Sequence, residues 1–209
     1  RKNKWKGVEF LRYWGDFLCK EGFNNETTPS WIWGMKQTEE QNMSDYSPFA
    51  MWANDTRKCF TFRCFFLSDN FVGLFDEEDI RASQFEYWWD QIYASFKFRD
   101  NEECRGSIVF MRADEMLLNA AEALARQNKD KEAQELLWQL QDLRNAKHTT
   151  ATGDDLVEAI LLERRKELYG EGFALFDINR NQKPLLREGN HVNYGGAKSF
   201  PARSWRFIY

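Results

Sequence analysis

What this chain has little of narrows it first. It carries four prolines, four cysteines and two histidines in 209 residues. No run of about 18 apolar residues occurs, so no segment reads as a membrane-spanning helix. Cys19, Cys59, Cys64 and Cys104 show neither CxxC pairing nor metal spacing, which leaves free, mostly buried thiols as the main reading. Cys59 and Cys64 pairing across a short turn is the minor alternative. His148 and His191 lie in loop-like sequence, and no HExxH occurs, so zinc-protease chemistry is unsupported. A GxSxG elbow, a P-loop and a GxGxxG turn are all missing. Gly195-Gly196-Ala197-Lys198-Ser199 lacks the first glycine that a P-loop needs. Asp76 to Asp79 lacks the alternating oxygen donors of a calcium loop. No catalytic or metal-ligating residue is assigned, and no cofactor is expected. A net charge of -4 gives no basic footprint for nucleic acid. The chain opens on Arg-Lys-Asn-Lys, with no Met and no apolar leader. It therefore reads as a fragment. Asn25, Asn42 and Asn54 each begin an N-x-[ST] triplet, a pattern frequent by chance.

Aromatic side chains are plentiful: 18 Phe, 9 Trp and 7 Tyr. Seven of the nine tryptophans fall in the first 90 residues. That asymmetry leaves two readings for the N-terminal half, aromatic core packing or flat recognition surfaces with polar tips.

Helical spacing of Val8, Leu11, Trp14, Phe17 and Leu18 predicts an amphipathic helix over 5–23. Trp31-Ile32-Trp33 predicts a short strand, buried or at an edge. Residues 34–58 read as one long irregular loop, a length usually functional or disordered. Tyr46, Phe49 and Trp52 sit in it, and either staple the loop to the core or form a binding face. Phe60, Phe62 and Cys64 alternate with polar residues as a strand does. Phe71 to Phe75 predicts an extended entry, and Asp76-Glu77-Glu78-Asp79 the acidic first turn of a helix. Residues 85–98, with Tyr87, Trp88, Trp89, Tyr93 and Phe96, predict a helix followed by an extended segment.

Residues 112–127 predict a helix with Leu117, Ala120, Ala121 and Leu124 on its inner face. Asn128-Lys129-Asp130 turns the chain into a second helix over 131–145, facing inward with Ala133, Leu136, Leu137, Leu140 and Leu143. Ala113 to Ala146 spans 34 residues, the period of a tetratricopeptide unit. One such unit does not bury its own face, so neighbouring helices or further repeats must cover it. Thr152-Gly153-Asp154-Asp155 predicts a capping box before Val157, Ile160, Leu161 and Leu168.

Glu163 to Arg180 is the stretch on which the C-terminal half turns. Glu163, Arg164, Arg165, Lys166 and Glu167 precede Gly170 and Gly172, and Phe173, Leu175 and Phe176 follow. So much charge beside so much apolar surface predicts a buried ionic face. Glu163, Arg164 and Glu167 are expected to pair with Arg144, Asp177 or Arg180. Glu163 and Glu167 alone do not make a glycosidase, which needs a second carboxylate across a cleft.

These residues carry a resemblance. Arg112-Ala113-Asp114-Glu115, Leu117, Ala121-Glu122-Ala123 and Leu143-Arg144-Asn145-Ala146 resemble motifs of the SusD/RagB family of outer-membrane nutrient-binding lipoproteins of Bacteroidetes. Glu163-Arg164-Arg165-Lys166-Glu167-Leu168, Glu171-Gly172, Phe176-Asp177 and Arg180 are the strongest part of the match. Ile32-Trp33-Gly34, Asp79-Ile80-Arg81 and Lys97-Phe98 fall in the family's order. Ala174 departs from it, standing where many members carry arginine. The resemblance implies a mainly α fold of tetratricopeptide-like helical hairpins with long, loop-rich insertions. Residues 1–111 would be the aromatic, loop-rich region, 112–180 the helical core and 181–209 an irregular tail. N-terminal repeats and a lipidation signal would lie outside this sequence.

The resemblance further implies a non-catalytic, lipid-anchored protein of the outer-membrane surface. It would bind a polysaccharide or oligosaccharide and pass it to a SusC-like TonB-dependent transporter. The matched motifs read as scaffold and carry no binding residue. The sugar-contact candidates come instead from side-chain chemistry: Tyr46, Trp52, Asn54 and Asp55 in the loop, with Trp88 or Trp89 adding a further ring. The alternative is a peptide-capturing member, or a tetratricopeptide-type scaffold for protein interaction.

Overall fold

The structure, a computed structural model, describes residues 30–38, 40, 67–88, 92–98, 107–186 and 199–202. The expected 5–23 helix and the Phe60–Cys64 strand lie outside them. The chain divides into two compact units, one of residues 1–67 with 77–113 and one of 68–76 with 114–209.

The first unit contains two antiparallel strand pairs. β1 (Trp31–Met35) pairs with β4 (Ile108–Arg112), with irregular register between Trp31 and Gly34. The expected strand at Trp31–Trp33 is thus present and runs two residues further. It is exposed at Ile32 and Trp33. Gly34 is required there by space. A Cβ would lie 2.5 Å from Trp31 Cζ3 and 2.7 Å from the Ile108 carbonyl oxygen.

β2 (Phe85–Trp88) pairs with β3 (Ile92–Ser95), Phe85 opposite Ser95 and Tyr87 opposite Tyr93. This corrects the helix expected at 85–98. Aromatic and β-branched residues suit a pleated surface, and the Tyr87 and Tyr93 rings meet across the strands at 4.8 Å. Nor do Asp76 to Asp79 open an α-helix as expected. Asp79 caps a 3₁₀ turn over Ile80–Gln84, accepting from the Arg81 backbone N–H at 3.0 Å. The same buried carboxylate accepts from Arg81 Nε and Nη2 at 2.9 and 2.8 Å.

The second unit is helical. α1 (Asp69–Val72) is one turn, capped by Ser68, where an extended entry was expected. α2 (Ala113–Ala125), α3 (Asp130–Leu143) and α4 (Gly153–Glu167) pack around one apolar core. Leu118, Ala121, Ala125, Ala133, Leu137, Leu140, Leu156 and Ile160 form it. Each large aliphatic side chain so buried contributes about 1.5–3 kcal/mol. Ala121 and Ala133 are fully buried in that core. Asn128 takes the left-handed conformation in the turn between α2 and α3, with φ 61°.

Two inward faces differ from expectation. On α2 Leu117, Ala121 and Leu124 pack on the core as predicted, but Leu118, Glu122 and Ala125 beside them are the more deeply buried, and Ala120 is exposed. On α3 Leu143 is 65% exposed, and Gln141 takes the inner position.

The capping box expected at Thr152 does not form, since its side chain makes no cap bond. Asp130 at the head of α3 caps α4 instead, its Oδ2 accepting from the Gly153 N–H at 2.9 Å. That bond is one rung of a ladder along α3. Gln134 Nε2 donates to the Ala151 carbonyl at 2.6 Å, and Trp138 Nε1 to the Thr149 carbonyl at 2.8 Å. His148 Nε2 lies 2.6 Å from Asp142 Oδ1, its ring stacked on Trp138.

Gly170 and Gly172, both at positive φ, turn the chain after α4 into α5 (Phe173–Arg180). None of the residues of α5 is buried, and Phe176 is 72% exposed. β5 (Leu185–Leu186) and β6 (Ser199–Phe200) form a short pair within the segment expected to be irregular.

Gly34→Ala is expected to destabilise the first unit by about 1–3 kcal/mol, because backbone stands on one side of the added methyl. Equilibrium urea unfolding checks this; a variant as stable as the parent would show that β1 and β4 can move apart.

Candidate functional site

Two features stand out for function: an ionic lattice in the second unit and exposed aromatic rings in the first. The lattice is built from residues that the 3.6-residue period brings onto inner helix faces. Glu163, Arg164, Lys166 and Glu167 are all buried in the last turns of α4. Arg164 reaches Asp177 of α5, Nε to Oδ2 at 3.0 Å, and also donates to Asn119 of α2. Arg144 makes a forked contact with Glu167 at 3.0 and 3.1 Å. The same guanidinium reaches Asp114 at 3.4 Å. Glu163 accepts from the Gln141 amide at 3.2 Å.

The expected pairs Arg164–Asp177 and Glu167–Arg144 therefore form. Arg180 also contacts Asp177, but its bidentate partner is Glu122 on α2, with both bonds at 2.6 Å. Glu122 was not expected as a partner. The available signal was its place among Leu118, Ala121 and Ala125, where a carboxylate survives only if paired. Burial alone would raise the Glu122 carboxyl pKa. Hydrogen bonds from Arg180 and Arg126 outweigh that and hold it below the ordinary glutamate value. The Glu122 bond, opposed in part by burial, pushes the Arg180 guanidinium up.

Residues 68–76 join the same unit through rings. Phe71 lies 5.2 Å from Tyr169 and 5.4 Å from Phe75. Lys166 Nζ stands 5.1 Å over Phe75, and the Arg165 guanidinium 5.9 Å over Phe71. Removal from water pulls Arg165 below the ordinary arginine value.

Glu122, Glu163 and Glu167 are each tied to a donor. Among the described residues no three His, Cys, Asp or Glu side chains gather to hold a metal. No described helix is long and apolar enough to cross a membrane.

The sugar-contact candidates Tyr46, Trp52, Asn54 and Asp55 lie outside the described residues. Trp88 ends β2, paired through its backbone with Ile92. In the first unit the rings that face solvent were read as scaffold or missed. Trp33 of β1 is 62% exposed, and its ring lies 5.0 Å from that of Phe110 on β4, tilted by 46°. Ile32, Met35 and Met111 are exposed on the same ribbon, and Tyr87 on the other hairpin. No motif marks Phe110; only its ring contact with Trp33 reveals it, since Met111 is the residue opposite Trp33 in the register.

Helical hairpins closing on buried arginine–carboxylate pairs, with strand pairs bearing open aromatic rings, define a tetratricopeptide-like helical scaffold with appended β-ribbons. The sequence profile of the SusD family matches residues 71–208, and the chain belongs to that family. It is similar to a SusD-like carbohydrate binding protein from Bacteroides vulgatus, at 29% identity and a TM-score of 0.77. That match covers 94% of this chain and 51% of the other. It also shares its fold with a SusD superfamily protein from Bacteroides thetaiotaomicron, at 21% identity, TM-score 0.72, and coverage of 93% and 47%. A second Bacteroides vulgatus member gives 20%, 0.70, and 86% and 42%. The chain thus spans about half the length of these solved relatives. Comparison with curated proteins returned no match.

Two outcomes test the lattice. Arg164→Ala leaves Asp177 without one of its cations and is expected to cost about 3 kcal/mol in chemical unfolding. A parent-like unfolding midpoint would mean that the pair is not buried. Glu122 has a lowered folded pKa, so its contribution is complete above the ordinary value of about 4.3 and is lost as pH falls through the folded value. Glu122→Gln is therefore expected to flatten the acid limb of a stability–pH profile; an unchanged limb would assign it to other carboxylates.

Proposed function

We propose that this chain is the C-terminal part of a cell-surface nutrient-binding protein that captures a polysaccharide or oligosaccharide without cleaving it. Membership of the SusD family carries the reading, together with the alignment of a carbohydrate binding protein over 94% of the chain. The side-chain chemistry agrees. A pyranose ring shows C–H groups on its faces and hydroxyls at its rim, so it needs aromatic planes with amide and carboxylate groups beside them. The lattice carboxylates have structural partners, which suits binding better than hydrolysis.

In this reading Tyr46, Trp52, Asn54 and Asp55 form the recognition segment, and Trp88 adds a ring. Residues 1–111 are the aromatic, loop-rich region, 112–180 the helical core and 181–209 the tail. Further N-terminal repeats and a lipid anchor precede them and hold the protein on the outer membrane. A SusC-like TonB-dependent transporter receives the ligand.

Native electrophoresis through gels containing amylopectin, xylan, β-glucan or mannan is the direct test. At least one polysaccharide is expected to retard the protein, and Trp52→Ala to reduce that retardation. No retardation in any gel, with binding to a peptide array, would move the function to peptide capture. Release of reducing sugar from a bound glycan would make the protein an enzyme.

A further inference from the structure

The two outer faces of the helical unit are unlike each other. On α3 the exposed residues are Lys131, Glu132, Glu135, Gln139, Asp142 and Leu143, a face made for water. α5 is the reverse. It is held by its polar side chains, Asp177 by Arg164 of α4 and Arg180 by Glu122 of α2. Leu175 and Phe176 are left in solvent, at 41% and 72% exposure, and no residue of the helix is buried. On α4, Leu162 is exposed as well. Lys183, just beyond α5, pairs with Glu158 one turn from Leu162, so the chain leaving α5 passes beside that leucine.

A surface helix normally buries its apolar stripe and shows its charges. α5 does the opposite, because its charges are needed as partners in the lattice. In a stack of helical hairpins an end unit keeps a polar outer face, whereas an inner unit carries apolar surface on both sides. By that rule α3 closes one end of the stack, and the α4–α5 hairpin does not close the other. A sugar would meet apolar surface there, but the carboxylate and guanidinium of α5 are already taken. A second copy must be gathered from solution, whereas a tethered segment of the same polypeptide is present at an effective concentration of about millimolar. Chain length favours the tethered segment. Alignments over 94% and 93% of this chain cover only 51% and 47% of two solved relatives, so the same fold there holds about as much polypeptide again.

We infer that the outer face of the α4–α5 hairpin, formed by Leu162, Leu175 and Phe176, seats an amphipathic helix of the same polypeptide, from the repeats preceding Arg1. The stack then grows from α5 and ends at α3. This rests on the reading of the chain as the C-terminal part of a longer protein, and not on the ligand given to it.

The test uses the longer protein, produced from its whole reading frame, in hydroxyl-radical footprinting read by mass spectrometry. The labelling rate of each side chain is divided by its rate in urea. Phe176 is expected to be slowed about tenfold or more, and Leu143, on the closing face, less than about threefold. Phe176→Glu puts an unpaired carboxylate into the contact and is expected to lower the Tm of the longer protein by about 4 °C or more. In the 209-residue chain alone, where that face is open, the same variant is expected to stay within about 1 °C of its parent. Phe176 labelled as freely as Leu143 overturns the inference, as does protection of Leu143 with Phe176 open, which would reverse the stack. A dimer of the longer protein that Phe176→Glu splits gives the face to a second copy instead. A reading frame no longer than this chain removes the longer-protein reading and this inference together. Protection of Phe176 in a protein that no polysaccharide retards overturns the carbohydrate reading and leaves the stacking face standing.

Discussion

A guanidinium taken out of water must meet its countercharge inside the protein, and the helical unit is arranged around that demand. Arg164 and Arg180 converge on Asp177, and Arg180 reaches on to Glu122. These contacts bind α2, α4 and α5 at once. Arg144, just past the end of α3, likewise holds Asp114 of α2 and Glu167 of α4. Apolar packing around Leu118, Leu137 and Ile160 is non-directional and tolerates small rotations of one helix on another. Forked arginine–carboxylate contacts do not, since both bonds must be met together. The lattice therefore specifies the helix arrangement more than it adds to net stability.

The same demand explains which parts of the fold were legible in the sequence. The charges of Glu163 to Glu167 were readable as buried because large apolar residues follow them, and Asp177 and Glu167 found partners named beforehand. The inner face of α2 was read too narrowly: Leu117, Ala121 and Leu124 pack on the core, but the adjoining stripe is the more deeply buried. That stripe contains Glu122, met by Arg180 from 58 positions away as well as by Arg126 one turn on. The long-range half of that pairing leaves no local trace. Asp130 capping α4 in place of Thr152 is a second case, since proximity across the α3–α4 turn decides it. The β2–β3 hairpin was missed for another reason. Aromatic side chains spaced through 85–98 satisfy a helical face and a pleated one alike, and only the partner strand chooses.

Function divides along similar lines. Family membership was visible in the scaffold motifs, which are dense in paired charge and hence distinctive. Ligand contacts were chosen by composition from the loop carrying Tyr46 and Trp52. The ribbon bearing Trp33 and Phe110 was assigned to scaffolding because Trp31-Ile32-Trp33 reads simply as a strand. Whether a strand's aromatic residue is core or surface depends on what covers that face, which a period of two does not encode. The lattice and the ribbon also differ in kind. One is saturated, with each of its described carboxylates engaged, whereas the other keeps large parts of Trp33 and Phe110 open to solvent.

The connection between α3 and α4 has its own consequence. Asp130, Gln134, Trp138 and Asp142 recur every four residues and grip Gly153, Ala151, Thr149 and His148 in reverse order. Helix rise and extended-chain rise are thereby kept in step, like two rulers of different scale clamped at matching marks. Deleting or inserting a single residue anywhere from 148 to 153 would throw several clamps out of phase together. Homologues should accordingly vary this segment in composition but hardly at all in length, the reverse of what surface connections usually permit.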